Sequence, residues 1–121
     1  MIKVEHKDNV AIITLDRANR RNALGNAMVE DLERRFAELD RETSVGAIVL
    51  TGAQPSFCAG SDLKELGTMN LAEMAEHEAI TAAIARKITF LNTPVIAAVE
   101  GHAFGGGFIL ACSCDLIVTS A

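Results

Sequence analysis

The sequence contains no tryptophan and no tyrosine, and aromatic residues make up 4% of its 121 positions. It has two prolines and three cysteines. An odd number of cysteines without a paired C-x-x-C spacing rules out a disulfide framework and offers no zinc-site pattern. Cys58, Cys112 and Cys114 read as small buried hydrophobes in a reducing compartment. The opening residues, MIKVEHKDNV, lack the apolar centre of a secretory signal. No apolar run reaches the length of a membrane span. Dense positive charge is missing as well. Eleven bases stand against 16 acids, the net charge is −5, and the bases are scattered apart from Arg17, Arg20, Arg21 and the pair Arg34–Arg35. This balance argues against nucleic acid as a partner and leaves room for one phosphorylated ligand at a local basic spot. The expected location is the cytoplasm, with neither nucleic acid nor membrane as a partner.

What is present is apolar. Half of the residues are hydrophobic and the mean hydropathy is +0.25, enough to bury a core. IKVEHK (2–7) alternates as a strand, DN (8–9) signals a turn, and VAIITL (10–15) reads as a buried strand, together a hairpin. After the polar loop 16–26, Met28, Leu32, Phe36 and Leu39 mark a helix over 27–41. GAIVLTG (46–52) is a second buried strand. Asp62 and Glu65 suggest a capping box at the start of a short helix. Leu71, Met74, Ile80, Ile84, Ile88 and Leu91 form the apolar stripe of a long helix over 71–91. VIAAVEG (95–101) is a strand, 106–112 a helix, and DLIVTSA (115–121) a further strand. The order β-β-α-β-α-β-α-β predicts an α/β fold with a largely parallel sheet. The last strand would leave one sheet face uncovered, so residues 1–121 are expected to be the N-terminal portion of one longer domain.

Two glycine-containing loops follow two of the strands: SFCAGSDL (56–63) and GHAFGGG (101–107). Ligands of open α/β sheets bind at the carboxyl ends of the strands, so neighbouring strands would bring these loops to one site. Each loop leads into a helix start, where backbone N–H groups lack partners. Two such groups aimed at one oxygen would make an oxyanion hole, and glycine there lets a carbonyl approach the backbone. The competing reading is that the glycines only make strand-to-helix turns. A dinucleotide G-x-G-x-x-G is not matched, because Ala103 occupies the second glycine's place, and no Gly-Lys-[Ser/Thr] of a P-loop follows.

FCAGSDLKEL resembles the AG-x-D-[LI] loop of the crotonase, or enoyl-CoA hydratase/isomerase, superfamily. PVIAAVEGHAFGGGFILACSCDL is similar to that family's GGG segment, and RNAL and LERRFAELD fit its N-terminal pattern. The resemblance runs in order along almost the whole chain. It implies a crotonase-like spiral of ββα units, truncated before the C-terminal helices. It also implies an acyl-CoA thioester substrate, coenzyme A as part of that substrate rather than a cofactor, no metal, and a homotrimer or hexamer at full length. Carried over by position, the oxyanion donors would be the N–H groups of Ser61 and Gly106. Coenzyme A would lie along Arg21, Ala23, Ala59, Gly60, Ser61, Asp62, Leu63, Gly105, Gly106 and Ile109. Arg21 would be the first phosphate partner and Arg20 the second.

One departure bears on the chemistry. Family hydratases place a glutamate three residues after the middle glycine, and here that position is Ile109. The family's second glutamate falls in a segment beyond residue 121. Other acids read as structural: Asp62 as a helix cap, Glu65 beside it, Glu100 and Asp115 at strand ends. His102 reads as a surface-loop residue and His77 as a helix-flank residue, neither with a partner. Ser61 shows no paired base and so no sign of a nucleophile. The expectation is an enolate-stabilising enzyme, isomerase-like rather than a two-glutamate hydratase. The alternatives are an inactive acyl-CoA-binding homologue and a nucleotide-binding α/β domain.

Overall fold

Branched apolar runs set the strands and helical apolar spacing sets what covers them. The computed structural model describes residues 1–120. β1 (Ile2–Lys7) and β2 (Val10–Leu15) form an antiparallel hairpin about Asp8, whose φ is 56°. β3 (Ala47–Gly52), β4 (Val95–Val99) and β5 (Leu116–Thr119) add in parallel, giving one sheet in the order β1-β2-β3-β4-β5. The helices are α1 (Asn26–Arg41), α2 (Leu63–Leu66), α3 (Leu71–Thr89) and α4 (Gly106–Ser113).

Register carries the core. Ile13 pairs with Leu50 and Leu50 with Ala97, so one sheet face presents fully buried side chains from three neighbouring strands. Met28, Leu32 and Phe36 of α1 and Ile84 and Ile88 of α3 join them in one cluster. Each large apolar side chain removed from water in this way contributes roughly 1.5–3 kcal/mol.

Two isolated parallel bridges, Leu24 with Ser61 and Cys58 with Ala103, complete a repeat. In it a sheet strand leads to a short bridged stretch and then to a helix. β2, Leu24 and α1 make one turn. β3, the stretch through Cys58 and Ser61, and α2–α3 make the next, followed by β4, Ala103 and α4. This is the expected spiral of ββα units in an α/β fold.

Four expectations change. The long helix ends at Thr89, and its buried face is His77, Thr81, Ile84, Ala85 and Ile88, whereas Leu71 is 85% exposed. Asp62 caps α2 through the N–H groups of Lys64 and Glu65, but Glu65 does not close a capping box. Its Oε1 accepts the Asn26 N–H at 3.1 Å and so caps α1 instead. All four residues of β5 are exposed, and Ala121, the last residue of the expected strand, lies outside the described residues. Cys58 is buried and Cys114 half-buried, but Cys112 is exposed.

Candidate active site

β2, β3 and β4 run parallel, so the loops after them leave the sheet on the same side. The middle loop, residues 57–62, is tied to both others by backbone hydrogen bonds. On one flank Ala59 N–H donates to the Arg21 carbonyl, Leu24 N–H to Gly60 and Asp62 N–H to Leu24. On the other, Phe57 and Cys58 donate to the His102 carbonyl and Phe104 donates to Cys58. A parallel bridge uses alternate groups of a strand, so the Ser61 N–H faces away from Leu24. Among the described residues, neither it nor the Gly106 N–H meets a protein acceptor.

The three glycines differ in what they do. Gly105 has φ +51° and open space around it, so its backbone conformation is the reason for glycine. A Cβ on Gly106 would make ordinary contacts, 3.4 Å to Leu24 Cδ1 and 3.6 Å to Thr81 Cγ2. A Cβ on Gly107 would collide with the Cys58 carbonyl, its carbon 2.8 Å away. Gly107 therefore lets α4 press against the middle loop. Gly60, at φ +94°, sits where a Cβ would come 2.8 Å from the Phe104 carbonyl oxygen.

Two cavities meet at Ser61. One, of about 200 Å³, is lined by Arg20, Ala23, Ala59, Ser61, Asp62, Leu63 and Lys64. The other, of about 240 Å³, is lined by Ser61, Glu78, Thr81, Ala82, Ala85, Gly106 and Ile109. Arg20 lines the first cavity, whereas Arg21 is exposed in a left-handed conformation (φ 52°) and offers the site its carbonyl. Gly60 and Gly105 shape the loops without lining either cavity. Ile109, 53% exposed, lines the second cavity, and the carboxylate on that lining is Glu78.

Asp62 is 4% exposed, with its carboxylate 2.9 Å from Arg17 Nη2 and 3.5 Å from Arg20 Nη1. Burial alone would raise its pKa. The Glu65 N–H and the two guanidiniums outweigh burial and hold the carboxyl below the usual range. Burial pushes the Cys58 thiol up to about 11, so it is inert at neutral pH. Asp115 accepts the Val95 N–H at 2.8 Å, and exposed His102 stacks on Phe104 with ring centres 4.9 Å apart.

His77 and Ser61 differ from expectation. His77 is 1% exposed, not a flank residue, and both ring nitrogens are occupied. Nδ1 lies 2.7 Å from Asn26 Oδ1, and Nε2 lies 2.9 Å from Ser61 Oγ. Ser61 thus has a paired imidazole. The sequence signal was the spacing 77, 81, 84, 88, which places His77 on the inner stripe of α3. Asn22 was also missed. It is buried at φ 56°, and its Nδ2 donates to the Ala53 and Ser56 carbonyls, fastening the first loop to the second.

Comparison with known proteins places this geometry among relatives. Residues 5–121 match the family model described as enoyl-CoA hydratase/isomerase. The protein named "Probable enoyl-CoA hydratase echA8" of Mycobacterium tuberculosis is 38% identical over 122 residues, covering 98% of this chain and 46% of the relative. The short-chain-enoyl-CoA hydratase of Clostridium acetobutylicum is 35% identical over 119 residues, with the same coverages of 98% and 46%. The crystal structure of the enoyl-CoA hydratase from Bacillus anthracis superposes with a TM-score of 0.95 at 33% identity, covering 98% of this chain and 46% of that one. The chain thus spans about half the length of the relatives it matches.

Proposed function

The chain belongs to the enoyl-CoA hydratase/isomerase family, and from that premise we propose that it forms the N-terminal portion of one acyl-CoA-binding domain whose reaction runs through a thioester enolate. The observation that carries this reading is the pair of unpartnered N–H groups, Ser61 and Gly106, on adjoining loops between two cavities. A thioester oxygen seated between them would receive two hydrogen bonds. Losing one such donor typically costs about 2.7–4 kcal/mol of transition-state stabilisation. The cavity beside Ala23 and Ala59 to Leu63 would take the coenzyme A arm, with Arg20 as its cation and Arg21 at the rim. The cavity beside Gly106 and Ile109 would take the acyl chain.

Isomerase-like proton transfer is favoured over two-glutamate hydration because Ile109 exchanges no proton. No separate cofactor is required, since coenzyme A arrives with the substrate. Assembly as a trimer or hexamer and a cytoplasmic location are part of the same proposal. Among the described residues no helix is long and apolar enough to cross a membrane.

A second reading, acyl-CoA binding without turnover, draws support from Ile109, a side chain that exchanges no proton on the lining of the second cavity. Crotonyl-CoA and an isomeric β,γ-enoyl-CoA, followed by the conjugated thioester absorbance, separate the two. Turnover by the protein at its natural length supports the enzyme. Tight binding with no absorbance change supports the binding module.

A further inference from the structure

We propose that Ser61, His77 and Asn26 form a nucleophile, base and positioning group, and that this site cleaves acyl-CoA thioesters through an acyl-serine intermediate. The inference rests on the acyl-CoA reading above and adds a reaction to it.

The roles follow from the hydrogen bonds. The Asn26 side-chain oxygen faces His77 Nδ1 at 2.7 Å and accepts only, so Nδ1 carries the ring proton. Nε2 is then the basic nitrogen, and it accepts the Ser61 hydroxyl proton at 2.9 Å. Asn26 is held in turn, its N–H bonded to Glu65 Oε1 at 3.1 Å at the start of α1. Three elements therefore converge on one chain of hydrogen bonds: α1, the loop before α2, and α3. A buried histidine with a purely structural role needs no solvent-facing partner. Here the partner hydroxyl belongs to a half-buried residue that lines both cavities and has a free N–H. Serine hydrolases use the same economy, with the nucleophile's own N–H as one donor of the oxyanion hole. Gly106 supplies the second.

Ser61 Oγ attacks the thioester carbonyl carbon while its proton passes to His77 Nε2. The carbonyl oxygen becomes an anion between the Ser61 and Gly106 N–H groups. The C–S bond then breaks, and the departing coenzyme A sulfur takes the proton from His77. A water molecule, deprotonated by His77, attacks the acyl-serine ester. Its collapse releases the carboxylic acid and returns the proton to Ser61.

Butyryl-CoA tests this, because a saturated chain is neither hydrated nor isomerised. The protein at its natural length is mixed with it, binding is read by calorimetry, and coenzyme A release is read with a thiol-reactive chromophore. An acid-quenched sample is digested and the acylated peptide identified by mass spectrometry. The expected result is thiol release with a butyryl group on Ser61. Ser61→Ala keeps the backbone N–H and still binds butyryl-CoA, but loses the adduct and the release. His77→Gln slows release by about 10²–10⁴-fold. Asn26→Asp, which keeps an acceptor for Nδ1, retains release, and Asn26→Leu loses it. If Ser61→Ala does not fold, Ser61→Cys still offers His77 a partner and accumulates a thioester adduct. Wild-type binding without release, or release unchanged in Ser61→Ala, overturns the inference and leaves the acyl-CoA reading standing. No binding by the wild type overturns both.

Discussion

Arg17 Nη2 lies 2.9 Å from Asp62 Oδ2, and this contact fixes the middle loop to the turn that precedes α1. The same carboxylate caps α2, so its charge serves two elements at once. Its pKa is held down in the folded chain. Burial opposes that direction, and the Glu65 N–H, Arg17 and Arg20 prevail. Asp40 is held down likewise, with burial outweighed by hydrogen bonds from the Thr93 N–H and side chain and from the Asn92 N–H. A carboxyl with a depressed folded pKa stabilises the fold fully above its unfolded value, about 3.9. That stability is lost as pH falls through the folded pKa. Urea midpoints measured from pH 7 to pH 2 should therefore stay level and then drop below about pH 4. Asp62→Asn keeps a capping side chain but strands two guanidiniums. It should lose about 1–3 kcal/mol at pH 7, less than a fully buried broken pair because the arginines are partly solvated. Its acid drop should be shallower. A wild-type slope at low pH in Asp62→Asn would show that the ion pair is not the source.

The thiols should separate by burial. Cys58 is pushed up to about 11 and Cys114, by burial first and then by Asp115 and Cys112, to about 12. Cys112 is exposed. At pH 8 a disulfide-exchange reagent should titrate one thiol quickly in the native chain and three after denaturation. Fast reaction of Cys58 would mean that the middle loop opens readily.

The glycine run should split three ways on substitution by alanine. Gly106→Ala meets only ordinary contacts and should change stability by less than about 1 kcal/mol. Gly105→Ala forces a side chain into a positive-φ conformation outside the left-handed helical well (φ 51°, ψ −120°) and should cost about 1–3 kcal/mol. Gly107→Ala drives a methyl group into the Cys58 carbonyl and should cost about 3 kcal/mol or prevent folding. Equal effects at all three positions, measured by chemical denaturation, would refute the separate roles assigned here.

Much of this architecture is written in local pattern. Branched runs such as Val10–Leu15 and Val95–Val99 become strands because alternate faces must be buried, and Met28, Leu32 and Phe36 become one helix face for the same reason. The meeting of the two glycine loops also follows, since β3 and β4 are sheet neighbours. The Ser61–His77–Asn26 contact is of another kind. Sixteen residues separate Ser61 from His77, and 51 separate His77 from Asn26. Nothing local favours the pairing, and a histidine among Glu76 and Glu78 reads as a solvated face. Counting apolar residues also finds Ile84 and Ile88 in the core and Ile80 and Leu91 packed against it, but it takes in Leu71, which is exposed, and passes over Thr81, which is buried. Arg20 lines the first cavity whereas Arg21 is exposed, and the left-handed backbone of Arg21 (φ 52°) that accompanies this is a property of the turn rather than of the residue type.

The central claim is that the Ser61 and Gly106 N–H groups polarise a thioester carbonyl. Difference infrared spectroscopy of crotonyl-CoA carrying a ¹³C label at the thioester carbonyl reads that polarisation in the bound state. Gly106→Pro is the test variant, because position 106 opens α4, where proline is tolerated, and the ring carbon on its nitrogen takes the place of the N–H donor. The account predicts a carbonyl stretch lowered on binding to the wild type, and a smaller lowering in Gly106→Pro with the fold intact by circular dichroism. A carbonyl stretch that is the same in both proteins, or unshifted from its value in water, would contradict it.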